Sequence, residues 1–172
     1  LNWHFEAKSD TQLVVASQAC ERIYRSNGDQ AEIDVHMRVA DGAHLHWLPQ
    51  ETILFAGARL NRKLTIELFG SASYLGIETM VFGRQHMGEL LRDVDYCDQW
   101  QVCRDTVPAF VDRVNIKGDA QMHLTQTAVA GGMAVVSTIM SFRIGGRAAF
   151  EAVARDINKL AMDSAVQIGT SI

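Results

Sequence analysis

Ala31-Glu32-Ile33-Asp34-Val35-His36-Met37-Arg38-Val39 alternates without a break, with Ile33, Val35, Met37 and Val39 on one parity and Glu32, Asp34, His36 and Arg38 on the other. Successive side chains of an extended chain point to opposite faces, so this period of two predicts a half-buried β-strand. Upstream, Ser26-Asn27-Gly28-Asp29 is a turn cluster, and its Asn-Gly pair, tolerant of positive φ, predicts a hairpin corner. Asn2 to Lys8, Gln12 to Ala16 and Arg22 to Arg25 read as extended segments before it.

The same style continues downstream. Asp41-Gly42 turns the chain into Ala43 to Leu48, where Leu45 and Trp47 oppose His44 and His46. Leu60, Leu64, Ile66 and Leu68 alternate with Asn61, Lys63, Thr65 and Glu67. Tyr74 to Phe82 is apolar on both faces with Glu78 embedded, the pattern of a central strand. Asp93 to Cys103 carries Val94, Tyr96, Trp100 and Val102 on one parity, and Val107 to Ile116 continues likewise. Lys117-Gly118-Asp119-Ala120 predicts a turn, and His123 to Ala130 and Ala134 to Ile144 predict strands separated by Gly131-Gly132. Only the C-terminal part shows a helical period, with Phe150, Val153, Ile157 and Leu160 as its apolar stripe. No internal repeat stands out. The expectation is a mainly β fold: an elongated multi-stranded sheet structure, one domain over residues 1–172, with one C-terminal helix packed on it.

Composition narrows the function classes. A formal charge of -4 with 48% hydrophobic and 21% charged residues suits a protein with a sizeable core and gives no basic face for nucleic acid. No apolar run reaches the length of a membrane span and no signal-peptide pattern opens the chain, which predicts a cytoplasmic protein without membrane association. Cys20, Cys97 and Cys103 lack any Cys-x-x-Cys spacing and predict reduced, structural thiols. No nucleophile triad, phosphate-cradling loop or His-Glu-x-x-His motif is present.

One segment breaks the β pattern. Between Trp47 and Arg59, Pro49, Gln50, Glu51 and Thr52 separate two apolar runs. A second polar stretch, Gly83-Arg84-Gln85-His86-Met87-Gly88-Glu89, is a glycine-bracketed loop. Leu48 to Arg59, then Gly83, Arg84, Met87, Gly88 and Glu89, with Tyr24-Arg25-Ser26 upstream, resemble the pattern of the urease accessory protein D family, also called UreD or UreH. The resemblance runs from about residue 1 to 145, and Ala56 stands where the family carries aspartate. A strand region and a Gly-Gly-Asp stretch that the family places before Leu1 are not in this sequence, and the tail after Ser164 is short, so the chain is expected to be a fragment.

The resemblance implies a non-enzymatic chaperone of elongated, predominantly β fold. It would dock onto apo-urease and, with accessory proteins F and G, assist nickel delivery; nickel would be cargo in transit and no cofactor would be held tightly. Interior carboxylates then become candidates for lining the ion's route. Glu51 comes first, with Arg59 or the Thr52 hydroxyl as partners if it is buried. Glu78, Glu89 and Arg84 form a second candidate cluster, with structural ion pairing as the alternative reading. His44 and His46 share a strand face and would hold a divalent metal only with ligands from a neighbouring strand; His86 is a loop candidate. A competing hypothesis makes Glu51 and Glu89 the acid/base pair of a hydrolytic or small-molecule-binding β domain, which requires both carboxyls across one cleft.

Overall fold

The computed structural model describes residues 1–84, 87–145, 151 and 155. The alternating segments form β1 (Asn2–Ala7), β2 (Gln12–Ala16), β3 (Glu21–Ile23), β4 (Ala31–Val39), β5 (His44–Leu48), β6 (Thr52–Leu54), β7 (Arg59–Leu68), β8 (Ser73–Phe82), β9 (Val94–Arg104), β10 (Val107–Gly118) and β11 (Val135–Phe142), with a short helix α1 (Ala120–Leu124) before the last strand. The strong alternation of β4 gives the bounds expected for it.

What the alternation does not disclose is the stacking. One sheet has the order β1-β4-β7-β9-β10 and the other β2-β5-β8-β6-β3, with β11 also on β8. β1, β4, β7 and β9 are parallel and in register, so Trp3, Val35, Leu64 and Trp100 lie one above another. β2, β5 and β8 stack in parallel opposite them, as do β3, β6 and β8. The chain therefore climbs as a solenoid: β1, β4 and β7 stack in one sheet, while β2 with β3, β5 with β6, and β8 supply the successive levels of the other. The repeat is one of structure, and it escaped the sequence because turns of unequal length share only their strand period.

The corners do recur. Backbone N–H groups of Thr11, Ala43 and Ala72 donate to the carbonyls of Lys8, Ala40 and Phe69, giving three stacked turns of one design. Gly42 and Gly70 take φ of 72° and 51°, and a Cβ at either would meet the Asp10 or Asp41 carboxylate from the turn below. Asp41 in turn accepts from the Ser71 N–H and hydroxyl, each at 2.8 Å. Aspartates thus tie neighbouring turns together, Asp41 to Ser71 of the turn above and Asp105 to the Gly70 N–H of the turn below.

Two predicted features need correction. Asn27-Gly28 does not make a hairpin: β3 and β4 belong to different sheets, and the bend is a corner of the solenoid with Gly28 at φ 147°. The reversal occurs instead at Asp105 and Thr106, which connect β9 to antiparallel β10 with φ of 47° and 69°. A two-residue loop with positive φ at both positions is the turn that matches strand twist. Thr106 is exposed and β-branched, and the left-handed region is costly for it. Thr106→Gly is expected to raise stability by about 0.5–1 kcal/mol, read as a higher denaturation midpoint with unchanged slope; a lower midpoint would contradict the strain.

The second correction concerns His123 to Ala130, expected as a strand. Ala120–Leu124 is helical, because the Asp119 side chain accepts from the Met122 N–H at 3.1 Å and caps the first turn. The predicted stripe Phe150, Val153, Ile157 and Leu160 lies outside the described residues, as does His86.

Between the facing sheets lie two apolar clusters. One contains Val35, Met37, Leu45, Leu64, Ile66, Tyr74, Trp100 and Val102; the other contains Leu54, Leu60, Met80, Phe82, Leu91, Val94 and Tyr96. β7, β8 and β9 each run through both, and each carries one charged residue at the crossing: Arg62, Glu78 and Asp98.

Candidate functional site

Arg62, Glu78 and Asp98 are 7%, 7% and 4% exposed, and they form a charged layer between the two cores. The alternation of β7 puts Arg62 in phase with Leu60 and Leu64, that of β8 puts Glu78 in phase with Tyr74 and Met80, and that of β9 puts Asp98 in phase with Tyr96 and Trp100. Arg62 Nε donates to Asp98 Oδ1 at 2.9 Å and Nη2 to Oδ2 at 2.5 Å, the bidentate geometry of a guanidinium on a carboxylate. Its Nη1 donates to Glu78 Oε2 at 2.7 Å. Aromatic donors complete the layer: Trp47 Nε1 to Glu78 Oε1 at 2.5 Å, Tyr96 OH to Asp98 Oδ2 at 2.9 Å and Trp100 Nε1 to the same oxygen at 3.0 Å.

Burial opposes the charge on Arg62, but the Asp98 hydrogen bonds and the charges of Glu78 and Asp98 outweigh it and push the guanidinium pKa above its ordinary value. Burial, reinforced by Glu78 and by Asp98 respectively, raises the phenols of Tyr74 and Tyr96, so both stay neutral. With two carboxylates against one guanidinium, the layer carries a formal surplus of negative charge.

The Tyr74 hydroxyl is buried with no partner among the described residues, and it sits where a Cβ on Gly76 would be. An orphaned buried hydroxyl is unfavourable. Tyr74→Phe is therefore expected to stabilise the protein by about 1 kcal/mol, detectable as a rise in Tm; a fall would mean that the hydroxyl has a partner.

A cavity of about 30 Å³ reaches this layer, lined among others by Glu21, Trp47, Thr52, Arg62 and Glu78. A surface groove of about 460 Å³, lined by Trp3, Phe5, Val15 and Trp47, shares Trp3, Ser17, Trp47 and Pro49 with it. The groove and the cavity are therefore neighbours, and Trp3, Ser17, Trp47 and Pro49 form the wall between them.

The predicted residues separate on this frame. Glu78 is buried in the charged layer, as its place in an apolar strand implied. Thr52 is buried and lines the cavity, together with Gln50. Glu51 does not: it is half-buried, and its side chain has no hydrogen-bond or ion-pair partner among the described residues. Neither expected partner reaches it, since Arg59 instead pairs with Asp93 at 4.0 Å. Inward positions of β6 alternate, and Thr52 and Leu54 take them, leaving Glu51 on the other parity.

Glu89 and Arg84 form a loop lock apart from the layer. Glu89 Oε1 accepts from the Ala56 N–H at 3.2 Å, and Oε2 from the Arg84 N–H and Nε at 3.0 and 3.1 Å. Desolvation raises the Glu89 pKa, but the Ala56 N–H and the Arg84 contacts outweigh it and hold the carboxyl below its usual range. It is a committed acceptor and a poor proton donor, and neither cavity is lined by Glu51 or Glu89. The tie to position 56 runs through the backbone, so alanine there preserves it.

His44 and His46 lie on the outer face of β5, where their register neighbours are Gln12 and Ser73, and Val14 and Leu75. His44 Nδ1 is hydrogen-bonded to Ser73 Oγ at 2.6 Å. The further ligands that a metal would need are missing there, and no group of three His, Cys, Asp or Glu side chains able to hold a metal occurs among the described residues.

Arg62, Asp98 and Glu21 were not singled out from the sequence. The signal was nonetheless present for two of them: Arg62 and Asp98 each occupy a position where the strand's apolar parity calls for a hydrophobe. Cys97 and Cys103 both lie on β9, and all three thiols are free. No helix among the described residues is long and apolar enough to cross a membrane.

The model of the UreD urease accessory protein family matches residues 1–172. The urease accessory protein UreD of Ruegeria pomeroyi is 38% identical over 141 residues, covering 81% of this chain and 55% of the relative. The protein of the same name from a Chelativorans species is 42% identical over 119 residues, 69% of this chain and 43% of its own length. UreD 1 of a Bradyrhizobium species is 40% identical over 134 residues, or 78% and 48%. The chain spans about half the length of these curated relatives. By its family match and by these identities, the chain belongs to the UreD urease accessory protein family.

Proposed function

We propose that the protein acts without catalysis in urease maturation, in the cytoplasm, as a scaffold that binds apo-urease and accessory proteins F and G while its interior passes nickel toward the enzyme. The observation that carries this reading is the charged layer: Arg62, Glu78 and Asp98 lie in the solenoid interior, and Arg62 and Glu78 line a small cavity that shares four wall residues with a surface groove. Nickel is the cargo. A hard carboxylate set of modest size suits a cation that must leave again. Arg62 offsets one of the two carboxylate charges, and the formal surplus that remains favours an entering cation over an anion. Trp47 fixes the remaining Glu78 oxygen at the cavity wall.

The weight that Glu51 carried in the sequence passes to Glu78. Glu78→Gln keeps the shape and the acceptor for Trp47 while removing the charge. In cells co-expressing urease with its accessory proteins, this variant is expected to assemble normally and to lower the nickel content and activity of urease several-fold, whereas Glu51→Ala is expected to change neither. Full nickel loading by an assembled Glu78→Gln complex would sink the passage role and leave the scaffold role standing.

A further inference from the structure

On the outer face of the first two solenoid turns, His4 of β1 and His36 of β4 are direct register partners. Their Nδ1 atoms approach to 3.0 Å, with ring centroids 4.7 Å apart and planes inclined at 46°. His36 Nε2 lies 3.3 Å from Glu67 Oε2, and Glu67 is also paired with Arg38 at 3.6 Å. Arg38 is in turn stacked 4.4 Å above the Phe69 ring. The imidazole that faces His4 is therefore oriented from behind by a carboxylate that is itself held.

This arrangement has a definite chemistry. The Glu67 carboxylate beside Nε2 favours the tautomer with its proton there, which turns the Nδ1 lone pair of His36 toward His4, the outer-shell pattern that orients metal-ligating histidines. Bonds of about 2.0–2.1 Å from both nitrogens to one ion, closing a 3.0 Å gap, subtend an angle of about 91–97°. A tetrahedral ion would need the nitrogens about 3.4 Å apart at the same bond length. Adjacent corners of a square-planar or tetragonal site fit the observed separation, the preference of cupric and nickelous ions.

We propose that His4 and His36 form a surface site for one divalent late first-row transition ion in tetragonal geometry, with Glu67 as the positioning residue and water completing the coordination. Binding replaces the hydrogen that lies between the two facing nitrogens: each ring then offers its Nδ1 lone pair to the ion and carries its one hydrogen on Nε2. The site lies on the opposite side of the sheet from the charged layer and does not depend on the passage role. Cupric ion binds most tightly and nickelous ion next, in the order general to nitrogen sites.

The test is titration of the whole chain with Cu(II) alone and with Ni(II) alone, read by calorimetry, and by electron paramagnetic resonance for copper. The unsubstituted protein is expected to bind an equivalent of each ion whose copper spectrum shows coupling to two imidazole nitrogens. His4→Ala and His36→Ala should each abolish that equivalent, while His44→Ala/His46→Ala retains it. Glu67→Gln should weaken it roughly tenfold without abolishing it, the effect usual for an outer-shell partner. Stoichiometry unchanged in both single variants, or an equivalent lost only in the His44→Ala/His46→Ala protein, would overturn the assignment. All these positions are on outer strand faces, so circular dichroism of each variant should match the parent.

Discussion

Arg62→Met is expected to lower the unfolding free energy by about 3–5 kcal/mol and Tm by on the order of 10 °C. The substitution fills similar volume but leaves Glu78 and Asp98 facing each other across a dry interior with no counter-charge. Breaking a buried pair from one side is the costly case, because the remaining carboxylates keep only neutral donors and lose their counter-charge. Replacing all three residues by apolar ones of similar size removes that charge but does not restore the parent. Trp47 Nε1, Tyr96 OH and Trp100 Nε1 all donate into the two carboxylates and would be orphaned together. Each buried donor left without an acceptor costs about 1–3 kcal/mol. Thermal or denaturant unfolding of both variants checks the argument: a triple replacement as stable as the parent would show that the aromatic donors find other acceptors.

The second large effect is expected at Trp47. Its side chain is 3% exposed and makes edge or tilted contacts with Trp3 and Phe5 at 6.1 and 5.5 Å between centroids. Trp47→Ala removes this packing, joins the groove to the inner cavity without a wall, and releases one Glu78 oxygen. A loss of about 3–5 kcal/mol is expected. Trp47→Phe separates the contributions, since it keeps most of the aromatic area and loses the bond to the carboxylate, worth about 1.5–3 kcal/mol. Chemical denaturation of both proteins reads the difference directly, and equal losses would mean that the hydrogen bond supplies nearly all of the effect.

These two sites show how far the residues speak for themselves. Strands such as β4, β5 and β7 announce themselves by parity, because a half-buried surface demands it. Parity is identical for parallel and antiparallel neighbours, however, so the solenoid stayed hidden until register was known. The strongest hairpin dipeptide, Asn27-Gly28, is spent on a corner, while Asp105-Thr106 reverses the chain without a glycine. Glu78 was visible as a carboxylate in an apolar strand. Arg62 and Asp98 obey the same logic but sit in strands whose other face is polar, where one more charged residue attracts no attention. Glu51 looked interior because of its apolar neighbours; only the alternation of β6 decides which side of the wall it occupies.

Parallel stacking turns chain position into a ruler. Glu21 on the first turn, Thr52 on the second, Arg62 and Glu78 on the third and Asp98 on the fourth stand at successive heights of about 4.8 Å. Polar interior groups are thus graded over roughly 14 Å of axis, three such steps. Inserting or deleting a whole turn below the charged layer would shift everything beyond it by one fixed increment while leaving Arg62, Glu78 and Asp98 on adjacent levels, so the length of the interior path can be altered in discrete units.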